Sequence, residues 1–118
     1  MKWLVEFDSA FEQEFWKFSL NVQTEIVAKA KLLEDFGHSL GRPNADTLAG
    51  SKHSNMKELR FNADNGVWRV AYAFDPERKA ILLVAGDKTG ISQKRFYKKL
   101  LAKADERFDA HLLNLKGK

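Results

Sequence analysis

The 118-residue chain contains no cysteine, which removes disulfides, thiolate zinc sites and cysteine nucleophiles and is compatible with a reducing compartment. Its two prolines, Pro43 and Pro76, make no proline-rich linker, and a single domain over residues 1–118 is expected. No apolar run approaches membrane-spanning length, and the opening Met1-Lys2-Trp3-Leu4-Val5-Glu6 turns acidic too soon for a secretory signal. A cytoplasmic protein without membrane association is the expectation. A phosphate-cradling glycine loop, HExxH, GxSxG and metal-ligand spacing are missing as well, so neither metal nor cofactor is expected.

What is present is a core-forming composition, 44% hydrophobic and 12% aromatic, too apolar for a disordered chain. The formal charge of +4 is unevenly placed. Residues 1–40 hold four Lys/Arg against seven Asp/Glu, whereas residues 41–118 hold sixteen against nine. The basic potential therefore belongs to the second part of the chain, where it fits a nucleic-acid partner without requiring one.

That part is organised around Met56 to Gly90, which reads as three antiparallel strands. Asn65-Gly66 tolerates the positive φ of a two-residue hairpin turn. Pairing Asp64 with Val67 then sets Arg60 opposite Ala71 and Asn62 opposite Arg69. Leu59, Phe61, Trp68, Val70 and Tyr72 share one face, and Arg60, Asn62, Arg69 and Ala71 share the other. A one-residue slip would put arginine among the aromatics, so turn and pattern support one pairing. Asp75-Pro76-Glu77-Arg78 makes the second turn. Pairing Phe74 with Lys79 places Arg69 opposite Val84, with Lys88 on the same parity if the third strand extends beyond Gly86.

Around this sheet, Lys2 to Phe7 has the composition of a short outer strand. Ser9 with Glu12 reads as a capping box opening a helix. The stripe Phe11, Phe15, Phe18, Val22, Ile26, Ala30 and Leu33 continues to about Phe36 as a kinked helix or a helical hairpin, with Asn21 as a candidate second cap and Gly37 as the stop. Residues 37–55 read as a long loop. Ser92 caps a last helix with Phe96, Leu100, Ala104, Phe108, Leu112 and Leu115 on one stripe. The expected fold is α+β, in the order β-αα-βββ-α, with helices packed on a small, mainly antiparallel sheet.

Candidate functional residues follow from the cationic sheet face. Arg60 and Arg69 on diagonally adjacent cross-strand positions repel unless an anion lies between them, and guanidinium forks suit phosphate. Surface exposure or carboxylate pairing is the plain alternative, with Glu58 as the internal competitor. Lys88 adds a third cation. Lys52, His53 and Lys57 bring basic groups to the mouth of the first hairpin strand, although Lys57 falls on the apolar face. Tyr97 is either packing or a base-stacking platform. Lys94, Arg95 and Lys98 lie on the exposed side of the last helix, as a solvated face or as steering charge for RNA. His111 beside Phe108 and Leu112 reads as a packing residue, and Trp68 and Tyr72 read as core.

Lys57-Glu58-Leu59-Arg60-Phe61, Gly66-Val67-Trp68-Arg69-Val70-Ala71-Tyr72, Ile81 to Val84, Gly86-Asp87-Lys88-Thr89-Gly90, Lys94-Arg95-Phe96-Tyr97 and Ala104-Asp105-Glu106-Arg107-Phe108 together resemble the phage-derived Gp49-like family, HigB-type toxins of the RelE/ParE superfamily. The resemblance implies the toxin of a toxin–antitoxin pair, a metal-independent endoribonuclease that cuts mRNA on the ribosome, with a helix-turn-helix antitoxin as partner. It makes Arg60 and Arg69 the strand arginines on the scissile phosphate and Lys88 the basic residue ending the last strand. It assigns Tyr97 to base stacking and His53 to proton transfer. Where some of these toxins carry a histidine near the end of the sheet, this chain has Asp87-Lys88. A ParE-like inhibitor of DNA gyrase and a catalytically inactive binding module on the same fold are the alternatives. Under the leading reading Arg69→Ala removes activity and spares the fold, whereas Trp68→Ala destabilises by ~3–5 kcal/mol.

Overall fold

Three helices cover the two faces of a five-stranded sheet in the computed structural model, which describes residues 2–117. The chain runs β1 (Leu4–Phe7), α1 (Ser9–Phe15), α2 (Leu20–Phe36), a 3-10 turn, β2 (Ala45–Thr47), β3 (Lys57–Ala63), β4 (Gly66–Phe74), β5 (Lys79–Asp87) and α3 (Gln93–Lys116). The strands lie in the order β1-β5-β4-β3-β2, with β1 parallel to β5 and the other pairs antiparallel. This is the expected α+β architecture with one added strand. β2 falls inside the stretch read as loop; three residues are too few to show a period, and only their pairing with β3 makes them a strand.

The helical hairpin packs Phe11, Phe15, Val22, Ile26 and Leu33 against Leu59, Val70, Tyr72 and Leu82. α3 packs Phe96, Leu100, Ala104 and Phe108 against Ala71, Ala73, Leu83 and Val84 on the opposite face. Alternate residues of β4, and of β5 except at Leu83–Val84, thus feed two separate cores, whereas β3 gives Leu59 and Phe61 to the first only. The caps differ in detail from expectation. Asp8, not Ser9, accepts the free amides of Ala10 and Phe11, and Ser19, not Asn21, caps α2. Asn21 instead donates to the Asp64 carboxylate, as does the Ser19 hydroxyl. Gly37 ends α2 and Ser92 caps α3, as expected.

That Asp64 anchor changes the hairpin. Asp64 and Asn65 take the positive φ values, 51° and 62°, so they form the turn and Ala63 pairs with Gly66. Gly66 serves close approach: a Cβ there would meet the Asp87 carboxylate at 2.6 Å. The register therefore moves by two residues, and Arg60 lies directly opposite Arg69 rather than diagonal to it. A shift of two leaves every side chain on its expected face.

The second hairpin shows the same cancellation. Asp75 accepts from the amides of Glu77 and Lys79, Arg78 takes φ 66°, and Phe74 pairs with Ala80 rather than Lys79. That one-residue error would invert the faces of β5. A bulge at Leu83 inserts a second residue, so Tyr72 pairs with Leu82 while Ala71 pairs with Val84. Arg69 consequently lies opposite Gly86, not Val84, and the parity that puts Lys88 beside it is restored.

Candidate nucleic-acid interface

Arg60 and Arg69 project from neighbouring strands toward α3, over a carboxylate that holds them both. Glu58 is 3% exposed; its Oε2 accepts from Arg60 Nη1 at 2.7 Å and its Oε1 accepts from the Tyr97 hydroxyl at 2.8 Å. Arg69 Nε donates to the Tyr97 oxygen at 3.3 Å and lies 3.8 Å from Glu58 Oε1, while its Nη1 donates to the Trp68 carbonyl at 2.9 Å. Two cations opposed across a ladder repel, and a buried carboxylate alone would be destabilised by desolvation, so each makes the other tolerable. Glu58 was legible only as a competitor for the arginines; its position on the same face as Arg60, two residues earlier on β3, is the signal that places it beneath them.

Arg69 is 5% exposed, yet it is not sealed. It forms part of the wall of a surface concavity of about 380 Å³ with Arg42, Pro43, Arg60, Phe61 and Asn62. A second concavity of about 510 Å³ shares Arg42 and Arg60 and continues over Glu58 and Tyr97 to Gln93 and Lys94 at the start of α3. Arg60 stands between the two openings. Each guanidinium carries five N–H donors, and the bonds to Glu58, Tyr97 and Trp68 use only part of that capacity, leaving donors for an anion in the opening.

Lys88 joins this group: its Nζ lies 5.9 Å from the centre of the Tyr97 ring. Burial, reinforced by the positive charges of Arg69 and Arg60, lowers its pKa from the ordinary lysine value, and Glu58 opposes the shift. Burial also raises the Tyr97 phenol, with the hydrogen bond to Glu58 acting in the same direction and that to Arg69 against it. Tyr97 thus remains a protonated donor at neutral pH.

The structure brings together Arg60, Arg69, Lys88, Tyr97 and Lys94, and adds Arg42, which sequence reasoning missed. Arg42 belongs to the stretch read as loop, and nothing but the pairing of β2 with β3 carries it to the site. There its Nη2 lies 2.8 Å from Asp46 Oδ2. The other candidates lie elsewhere. His53 is bonded through Nε2 to Asp109 of α3 at 2.7 Å and packs edge-on against Phe108, and Lys52 pairs with the same aspartate. These two residues fasten the loop to α3. Lys57, opposite Tyr72, is on the other face of the sheet. Arg95 flanks a different groove, and Lys98 is solvent-exposed. Among the described residues no group of His, Asp and Glu is arranged to hold a metal ion, and no helix is long and apolar enough to cross a membrane.

Comparison with known proteins places the chain in a family. The family model described as phage-derived protein Gp49-like matches residues 13–109. HigB2 of Mycobacterium tuberculosis, named as a candidate toxin, is 43% identical over 100 residues, covering 82% of this chain and 49% of its own length. The chain thus spans about half of that relative. HigB3 of the same organism, also named as a candidate toxin, is 42% identical over 106 residues, covering 88% of this chain and 90% of its own. Among solved structures, a substituted Escherichia coli toxin RelE in the free state superposes with a TM-score of 0.61 at 14% identity, over 87% of this chain and 97% of that one. A chain of the archaeal RelE–RelB complex from Pyrococcus horikoshii gives 0.54 at 15% identity, over 76% of this chain and 99% of that one. These last two show the fold. The family match over most of the chain and the two relatives above 40% identity decide the assignment: the chain belongs to the phage-derived Gp49-like family, as a HigB-type member with the RelE fold.

Proposed function

We propose that this protein is the toxin of a type II toxin–antitoxin pair, a ribosome-dependent mRNA endoribonuclease held in check by a helix-turn-helix antitoxin. The observation that carries the reading is the directly opposed Arg60 and Arg69, which line the wall of a surface concavity and are backed by Glu58. Such a pair suits a phosphodiester whose negative charge grows during reaction.

In the proposed reaction the RNA 2′-hydroxyl gives up its proton to solvent water as its oxygen forms a bond to the adjacent phosphorus, while the bond from phosphorus to the 5′-oxygen breaks, giving a 2′,3′-cyclic phosphate and a 5′-hydroxyl. Arg60 and Arg69 hold the phosphoryl oxygens, with Arg42 and Lys94 on the flanking backbone. Tyr97 supplies a stacking face and a hydrogen-bond donor. Lys88, whose proton is loosened by burial and two guanidinium neighbours, donates it to the departing 5′-oxygen. His53 takes no part, because Asp109 engages it away from the arginines. Lys52 serves to fasten the loop. The ribosome supplies the alignment of the 2′-hydroxyl that the chain alone does not impose.

The test is to map mRNA 5′ ends after incubation with the protein, with and without ribosomes. New 5′-hydroxyl ends that need both the protein and the ribosome support the reading. Arrest of replication with intact mRNA would replace it with gyrase inhibition, and no effect in either assay would leave a binding module.

A further inference from the structure

Lys88 follows the last residue of β5, and its backbone is pinned. Its amide donates to the Val67 carbonyl at 2.8 Å, and the carboxylate of the preceding Asp87 accepts from the amides of Val67 and Thr89. Gly86, two residues earlier and so of the same parity, is the residue opposite Arg69. Lys88 therefore stands on the arginine face, with its Nζ near the Tyr97 ring whose hydroxyl oxygen accepts from Arg69. Its charged neighbours set it apart from other lysines. Lys2, Lys52 and Lys79 pair with carboxylates, which hold their protons more tightly than an ordinary lysine does. Lys88 is set by burial and two guanidinium groups, with Glu58 opposing them but already engaged by Arg60 and Tyr97. Its proton is the loosest of these four, so it offers the largest share of free amine, the nucleophilic form.

An amine of this kind beside an anion slot matches a particular class of reagent. An acyl phosphate carries a phosphate dianion and, one bridging oxygen away, an electrophilic carbonyl carbon. Its phosphate suits Arg60 and Arg69 for the same reasons as an RNA phosphate, charge and paired N–H donors, and docking there brings the carbonyl beside Lys88. We propose that Lys88 is an acylation site, modified by acyl phosphates that dock through their phosphate on Arg60 and Arg69. In the step the Lys88 nitrogen forms a bond to the carbonyl carbon, and the bond from that carbon to the bridging oxygen breaks. Inorganic phosphate leaves with the electron pair, and the nitrogen loses a proton to water. The product is a neutral amide. The proposal rests on the arginine anion slot of the reading above and adds a covalent brake to it, because an amide nitrogen does not give a proton to a departing 5′-oxygen.

The test treats the intact chain with acetyl phosphate and follows acetylation at each lysine by peptide mass spectrometry, with N-acetoxysuccinimide as a donor that has no phosphate. With acetyl phosphate Lys88 should react about tenfold or more faster than the exposed Lys31 and Lys116, and excess inorganic phosphate should bring it down to their rate. With the phosphate-free donor most of that preference should vanish, and inorganic phosphate should have no effect. Labelling of Lys88 no faster than of the two exposed lysines, or an equal preference with both donors, overturns the proposal. Ribosome-dependent cleavage should fall in proportion to the unmodified Lys88 remaining, while protein acetylated under excess phosphate, labelled elsewhere but spared at Lys88, keeps it. Full cleavage with Lys88 fully acetylated overturns the brake and removes Lys88 as proton donor. Selective labelling of a protein that cleaves no RNA supports the acylation site and overturns the nuclease reading; cleavage without selective labelling does the reverse.

Discussion

Replacing Glu58 by Gln separates the two jobs of the buried carboxylate. It neutralises the arginines in the free protein, and it occupies the electrostatic position that an RNA phosphate would take. Glutamine keeps the shape, but its single oxygen replaces only one of the two acceptors that serve Arg60 and Tyr97, the other position becomes an NH2 donor, and the charge is gone. An anion held by both guanidinium groups would sit about 5 Å from the carboxylate, where two unit charges repel by about 3 kcal/mol at an effective dielectric near 20. Solvent and salt screening bring that to about 1–2 kcal/mol. The expected gain in phosphate affinity is therefore roughly 5- to 30-fold. The same change weakens charge-assisted bonds in a site where Glu58 is 3% exposed, so stability should fall by about 1–3 kcal/mol. Calorimetric titration with inorganic phosphate and with a 2′-deoxy oligonucleotide measures the first effect, and urea unfolding with an unchanged slope measures the second. Phosphate affinity equal to or below that of the wild type, in a folded variant, would refute the claim that Arg60 and Arg69 form an anion slot with Glu58 as its resident.

Arg69→Ala should abolish ribosome-dependent cleavage. Because Arg69 is buried against Tyr97 and Trp68, it should also lose about 1–3 kcal/mol in urea unfolding, contrary to the spared fold expected from sequence; full cleavage by folded variant would remove it from the site. Trp68 is only half-buried, between Phe18 and Phe61, so Trp68→Ala should cost about 2 kcal/mol rather than the ~3–5 kcal/mol of a sealed aromatic. Tyr72 is fully buried and its hydroxyl has no hydrogen-bond partner among the described residues; Tyr72→Phe should leave packing intact and raise stability by up to about 1 kcal/mol, and a loss of that size would reveal a bond to that hydroxyl. Protonated Lys88 is depleted as pH rises through its lowered pKa, so cleavage should fall on the alkaline side below the ordinary lysine range, and Lys88→Arg should move that limb upward; an unmoved limb would assign it to another group.

Short-period signals made the sequence informative about faces. Alternation in β3 and β4 separates the arginines from the aromatics whatever the exact pairing, because each register error amounts to two residues. The turns themselves were less legible. Asn-Gly is a strong hairpin signal, yet Ser19 and Asn21, more than forty residues away in sequence, hold Asp64 and move the turn back by one residue at each side. The glycine is needed instead by the Asp87 carboxylate, a contact that exists only once β5 is in place.

The sequence by itself determined the two helical stripes, the three-strand meander, the helix stop at Gly37 and the cap at Ser92, and the placing of Arg60 and Arg69 on one face, since all of these depend on neighbours within a few residues. Only the tertiary structure decided that Arg60 opposes Arg69 directly, that Glu58 and Tyr97 lie between them, that a bulge in β5 brings Lys88 to their face, that Arg42 is carried to the site just ahead of β2, and that His53 is taken up by Asp109. Each of those depends on pairing between distant segments, and the free energy that selects such a pairing belongs to no single segment.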